Sequence, residues 1–348
     1  MRRTIPLVLL ACVLAACGSS SKSGGSSTTG AAGTTSASSS TKACLISDVG
    51  RFNDKGFNQL QLRGLKEAGS KLGISTKALE SHAAGDYVPN LSTCARGGYG
   101  ITIAAGFLLA DPLSTVAKQF PDKHFAITDY DVTGAPFDGT EKNVEGLTYA
   151  TQENGYLAGC LAALMAKQQG GKQVIGAVGG VKIPPVDTYI AGYQAGAETC
   201  APGTKVLVGY SQDFVDQAKC STIAGNQIDA GSQVEFNVAG GCGLGTLSTA
   251  KARGVWGIGV DTDQAFLGPH ILTSAVKRVD QGIYLAIQDV QNGTFTGGRN
   301  LVFDLKNGGV GLGKTSPKVP KAIMAKVDDL KAQIIAGKIT PPSTVKSS

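Results

Sequence analysis

Histidine is nearly missing from this chain. His82, His124 and His270 are the three in 348 residues, and they are scattered without the spacing of a metal site. Also missing are a Walker A sequence, a Gly-x-Ser-x-Gly nucleophile elbow and any CxxC pair. The recognisable parts of a phosphate-cleaving enzyme, an α/β-hydrolase and a zinc module are therefore absent. Gly241-Cys242-Gly243-Leu244-Gly245 has the spacing Gly-x-Gly-x-Gly and falls short of a dinucleotide fingerprint; a tight strand-to-helix turn explains it better. Charge is sparse at 17% of residues, and the net +6 falls to +4 once Arg2 and Arg3 of an N-terminal leader are set aside. Without a basic run, that balance does not suggest a nucleic-acid binder. The 48 glycines follow no Gly-X-Y period, which excludes collagen. What is present is enough apolar residue, 42% with mean hydropathy +0.04, to bury a core. The length suits two domains of about 150 residues each.

The first 16 residues read as an export signal: Arg2-Arg3, then an apolar run from Ile5 to Ala16 too short for a permanent membrane span. The run ends in Leu14-Ala15-Ala16-Cys17, which resembles a bacterial lipobox, so Cys17 is the expected lipidation site. Gly18 to Thr41 holds only Gly, Ser, Thr and Ala apart from Lys22. Such a composition cannot offset its ordering entropy, and 24 flexible residues span roughly 25–30 Å. Residues 17–42 are thus read as a lipidated cysteine and tether on the extracytoplasmic face of the cell membrane. Six cysteines remain beyond it: Cys44, Cys94, Cys160, Cys200, Cys220 and Cys242. An even number in an exported chain suggests disulfides, with buried free thiols as the alternative. Six cysteines allow 15 pairings. The expected pairing joins neighbours in sequence: Cys44–Cys94, Cys160–Cys200 and Cys220–Cys242.

From Lys42 onward, short apolar runs alternate with helical patterns. Strands are predicted at 43–47, 76–80, 101–105, 124–128 and 144–149, and again at 174–178, 205–210, 234–239 and 256–260. Amphipathic or apolar helical stretches separate them, the longest at 56–72, 152–167 and 186–200. Later come a strand at 271–276, a helix at 280–291, a strand at 300–305 and a helix at 320–336. Repeated strand, helix, strand units predict an α/β fold with parallel sheets covered on both faces.

In open parallel sheets, ligands bind beyond the carboxyl ends of the strands. Those ends carry Asp48-Val49-Gly50, Gly106-Phe107, Asp129, Gly179-Gly180, Gln212-Asp213, Gly240-Gly241 and Asp261-Thr262-Asp263. Any one of these residues is more readily a turn or a cap. Their recurrence at so many strand ends points to a ligand site.

Four motifs carry a resemblance. They are Ser47-Asp48-Val49-Gly50 with Asn53-Asp54-Lys55-Gly56-Phe57-Asn58-Gln59, then Val238-Ala239-Gly240-Gly241, Gly259-Val260-Asp261-Thr262-Asp263-Gln264, and Thr273 through Asp280. In this order they resemble the basic membrane protein (BMP) family of nucleoside-binding lipoproteins serving ABC importers. The resemblance implies a type I periplasmic-binding-protein fold: two Rossmann-like lobes, three crossovers and a ligand cleft between the lobes. Its expected bounds are 43–150 plus 277–298 for the first lobe and 151–276 plus 299–340 for the second. Family resemblance makes Asp48 and Asp129 partners of a nucleobase, Phe57 and Phe236 its stacking faces, and Asp261 and Lys277 the holders of the ribose hydroxyls. Asn58, Phe107 and Gly240 complete the expected ligand-binding set. Read without the resemblance, Phe57 and Phe236 are core residues.

The expected partners are a nucleoside, purine nucleosides first, the permease and ATPase subunits of an importer, and the membrane. The chain is expected to be a monomer without catalysis, cofactor or metal. A same-fold binder of a sugar or signalling molecule is the alternative, and an enzyme using Asp48 or Asp129 as base the more distant one. Gly56 stands where the family commonly has Ser, and Cys242 where its turn usually has Thr; both positions border the expected site and leave the preferred base open.

Overall fold

The computed structural model describes residues 41–346; the expected leader, the expected lipidation site Cys17 and nearly all of the expected tether lie outside the described residues. The chain first builds strands β1 (Lys42–Ser47), β2 (Ser75–Leu79), β3 (Ile101–Ala105), β4 (His124–Thr128) and β5 (Val144–Tyr149). Helices α1 (Phe57–Leu72), α2 (Tyr87–Arg96) and α3 (Ala110–Gln119) connect them. It then crosses through α4 (Thr151–Gln169) into β6 (Val174–Gly179), α5 (Pro184–Cys200), β7 (Lys205–Tyr210), α6 (Gln217–Asp229), β8 (Ser232–Val238), α7 (Gly243–Arg253), β9 (Trp256–Asp261) and β10 (Ile271–Lys277). Helix α8 (Val279–Asn292) and strand β11 (Arg299–Phe303) return to the first lobe, and β12 (Val310–Leu312) and α9 (Lys321–Ile335) end the chain in the second.

Two six-stranded sheets result, with orders β11-β5-β4-β3-β1-β2 and β12-β10-β9-β8-β6-β7. All pairings are parallel except β10 with β12. Central strands are buried on both faces and read as apolar runs: all five residues of β3 are buried. The edge strand β2 instead exposes Ser75, Thr76, Lys77 and Ala78, the polar edge that discourages pairing with another chain. Two Rossmann-like lobes with three crossovers between them are a type I periplasmic-binding-protein fold.

The expected lobe boundary at residue 298 needs correction. Arg299 to Phe303 pairs in parallel with Glu145 to Tyr149, so the first sheet runs through Phe303. Lys277 likewise belongs to β10 and the second sheet. Periodicity reveals that a strand exists, but not which sheet edge has a free ladder to receive it. The antiparallel β12 has three residues, too few to show a period.

Helices α4 and α5 pack backbone against backbone. Gly155 and Gly159 lie one turn apart on one helix, and Gly192 and Gly196 on the other. A Cβ at Gly159 would sit 2.0 Å from the Tyr193 carbonyl oxygen, and one at Gly196 would sit 1.9 Å from that of Tyr156. Only glycine permits this approach, which seats Tyr189 of α5 beneath the ends of β9 and β10. Disulfides join Cys44 to Cys94, Cys160 to Cys200 and Cys220 to Cys242, the pairing expected from sequence order. They close separations of 50, 40 and 22 residues, each worth about 3–4 kcal/mol in the loop-entropy account.

Among the described residues, several buried polar side chains break the apolar pattern, Glu145 of β5 and Glu235 of β8 among them. Glu235 of β8 is fully buried beside Gly176, and neither carboxyl oxygen has a hydrogen-bond partner. Burial pushes its carboxyl up to about 8, from an ordinary value of 4.5. Across that window the unfolded chain releases the proton and the folded chain keeps it, so this residue's contribution to stability falls as pH rises. We expect Glu235→Gln to raise the melting temperature at pH 8 and to leave it nearly unchanged at pH 4.5. Equal shifts at both pH values would show that this carboxyl does not titrate in the window.

Candidate functional site

The site begins in the loop between β1 and α1. Asp48 follows the last residue of β1, and its Oδ1 accepts the Gly50 amide at 2.8 Å and the Asn58 side-chain amide at 2.7 Å. Helix α1 begins after Gly56, which has no side chain to cap it. Asp54 does so from upstream, accepting the backbone N–H groups of Gly56, Asn58 and Gln59 at 3.0, 2.8 and 3.0 Å. Both carboxyls are buried. Burial raises Asp48 to about 6 and Asp54 to about 7, against the opposing pull of these hydrogen bonds.

The centre of the site is Lys277, the last residue of β10. Its ammonium lies 2.7 Å from Asp129 Oδ2 and 3.3 Å from Asp261 Oδ1. Asp129 directly follows β4 of the first lobe and Asp261 ends β9 of the second, so one cation bridges both sheets. Each aspartate occupies the left-handed region, with φ 62° and 63°. That conformation is uncommon for a residue with a side chain, and it recurs where a site dictates the backbone. The ammonium also stands over the Phe57 ring at 4.6 Å and the Tyr189 ring at 5.5 Å. Desolvation works against its charge, but the two carboxylates outweigh it and hold Lys277 above its usual value. Burial, helped by the Asp129 charge, leaves Asp261 above the ordinary carboxylate range in spite of Lys277.

Around this cluster lies a cleft with about 580 Å³ of atom-free space, its mouth included. Asp48, Phe57, Asn58, Phe107 and Asp129 line it from the first lobe, and Gly240, Asp261 and Lys277 from the second. Gly106, at φ 116°, lets the chain turn after β3; a Cβ there would meet Phe57 at 3.1 Å. The lobes approach closely beside it, with Gly241 placed so that a Cβ would lie 3.6 Å from Asp54 Cβ.

Phe236 is the exception among the expected residues. It is fully buried in the second-lobe core, edge-on to Tyr189 at 6.1 Å and tilted against Tyr193 at 5.0 Å. Side chains alternate along a strand, and this one faces the helices rather than the cleft. The aromatics that line the second lobe's wall are Phe214, in the loop after β7, and Tyr189 of α5. The Phe214 backbone is held there by the Cys242 N–H, which donates to the Phe214 carbonyl at 2.9 Å. Sequence reasoning also missed Asp54 and Tyr189 as wall residues. Phe214 had a signal, since it directly follows Gln212-Asp213 at a strand end. Tyr189 had none, because its apolar neighbours on α5 look like ordinary core.

Comparison with known proteins follows the same lines. Residues 41–344 match the family described as ABC transporter substrate-binding protein PnrA-like (Bmp). The ABC transporter nucleoside-binding protein BmpA of Lactococcus lactis subsp. cremoris is 35% identical over 324 residues, 87% of this chain and 89% of that protein. Basic membrane protein A1 of Borrelia garinii subsp. bavariensis is 31% identical over 310 residues, 88% and 89% of the two chains. A crystal structure of an ABC transporter solute-binding protein from Aeropyrum pernix superposes with a TM-score of 0.76 at 27% identity, covering 87% of this chain and 94% of that one.

The bridging cation generates a stability prediction. Removing one partner of a buried ion cluster leaves uncompensated charge and costs about 3–5 kcal/mol. We expect Lys277→Met to unfold at much lower denaturant than the parent at pH 7. The gap should narrow at pH 5, where a proton taken up at Asp261, whose carboxyl burial holds above its ordinary range, replaces part of the lost charge. Unchanged stability at pH 7 would mean the ammonium is not the compensating charge.

Proposed function

Because the chain belongs to the PnrA-like (Bmp) family of ABC transporter substrate-binding proteins, we propose that it captures nucleosides, purine nucleosides first, for an importer. One observation carries the reading. An aromatic ring from each lobe, Phe57 and Phe214, borders a buried cleft whose charged groups are four aspartates and a single lysine. A purine offers two π-faces to the rings and a donor-rich edge to Asp48 and Asp129. A ribose diol offers donors to Asp261 and an acceptor to Lys277. The nucleoside-binding relative from Lactococcus supports the same ligand class. The lipobox ending in Cys17 and the tether after it support anchoring on the extracytoplasmic face, where a permease would receive the ligand.

The charge balance also sets what the cleft refuses. A nucleoside monophosphate brings about two negative charges into a low-dielectric space already rich in carboxylates, which opposes its entry.

Calorimetric titration tests the proposal. Adenosine or guanosine should bind, while the free base and the 5′-monophosphate should bind much more weakly. Charge-assisted hydrogen bonds contribute roughly 1.5–3 kcal/mol each. Asp261→Ala should therefore weaken nucleoside binding by about ten- to a few-hundred-fold. It should barely alter the weak affinity for the free base. Equal binding of base and nucleoside would remove the ribose contacts, and a sugar bound more tightly than any nucleoside would favour the other ligand class.

A further inference from the structure

Gln264 closes the Gly259–Gln264 motif, yet it does not line the cleft. It is 1% exposed, and every polar atom it carries toward the interior is engaged. Its own N–H donates to Ser274 Oγ at 3.0 Å. Its Oε1 accepts the Val260 N–H at 3.0 Å and the Asn237 side-chain amide at 3.4 Å. These bonds tie it to β8, β9 and β10 of the second lobe. The remaining group, Nε2, donates across the lobe boundary to the main-chain carbonyl of Lys55 at 3.1 Å.

The acceptor is placed for this contact. Lys55 sits between Asp54 and Gly56 with φ 56°, a left-handed conformation that a lysine rarely adopts. The same short loop carries the Asp54 cap and leads into Phe57. Gly56 and Gly241 pass close by: a Cβ on Gly56 would lie 4.0 Å from Asp261 Oδ2. The Gln264 to Lys55 bond is therefore a cross-lobe contact made wholly by protein atoms, onto the backbone of the loop that presents first-lobe ligand groups.

We propose that Gln264 is a positioning residue that latches the β1–α1 loop onto the second lobe and holds the cleft closed. It fixes Phe57 and Asp54 relative to Asp261 without touching the ligand. The latch rests on the nucleoside reading for the ligand used in one arm of its test, and not for the other. A side chain serving only the second lobe would need its acceptor for Val260 but not its donor for Lys55, and this difference separates the two roles.

Gln264→Glu keeps the volume and the acceptor oxygen, and replaces the donor facing Lys55 with a second oxygen. Hydrogen exchange on the ligand-free full chain should show faster exchange at the first-lobe amides of Gly56, Asn58 and Gln59. Adenosine should dissociate from the variant roughly three- to ten-fold faster than from the unmodified chain. Should Gln264→Glu fail to fold, Gln264→Met, which carries no charge but loses the Val260 acceptor along with the Lys55 donor, is measured in the same way, and only a change at Gly56–Gln59 counts for the latch. Exchange changes confined to the second lobe, between Val260 and Ser274, would overturn the latch. If the unmodified chain binds no nucleoside, the ligand reading fails, and exchange at Gly56–Gln59 still decides whether the latch exists.

Discussion

A single buried ammonium organises this molecule. Lys277 stands at the end of β10, and through it the carboxylates of Asp129 and Asp261, which lie at the strand ends of different sheets, occupy one small volume. None of the three could be buried alone, since an isolated charge in the interior costs several kcal/mol. Together they compensate one another while leaving lone pairs and protons directed at the cleft. The left-handed turns at both aspartates, the tyrosine beneath them and the aromatic ring against the ammonium are consequences of holding that arrangement. So is the meeting of the lobes, because the cation belongs to one sheet and its shorter contact to the other.

Much of this architecture was legible in the sequence. Apolar strands and intervening helices follow from periodicity, the strand ends direct attention to Asp48, Asp129 and Asp261, and the family resemblance adds Lys277; the structure gathers all four into one cleft. What stayed hidden depends on tertiary geometry. Arg299 to Phe303 reads as a strand from its residues, but its sheet is decided by the free edge of β5. Phe236 and Phe214 differ in tertiary setting: one lies on the inward face of a strand, the other follows a strand end on a loop clamped to the backbone near Cys242. Asp54 resembles any helix cap, and it is one; its place in the cleft wall arises because the loop it caps is pressed against Gly241.

The rigid parts of the molecule lie behind the site rather than in it. The glycine-to-backbone packing of α4 on α5 and the three disulfides restrain each lobe internally. The Cys220–Cys242 bridge in particular joins α6 to the turn that holds Phe214. Between the lobes, the ammonium meets its two carboxylates and one side-chain amide donates to a main-chain carbonyl. Stiff lobes joined in part by polar contacts suit a protein that must close on a ligand and later release it.

The proposed nucleoside places its sugar at the Lys277 cluster, between the lobes. A crystal structure of the complex with adenosine or guanosine decides this. Ribose hydroxyls are expected within hydrogen-bond distance of Asp261 and Lys277, with the base between Phe57 and Phe214. A nucleoside seated elsewhere, or one whose ribose points away from Lys277, would contradict that placement.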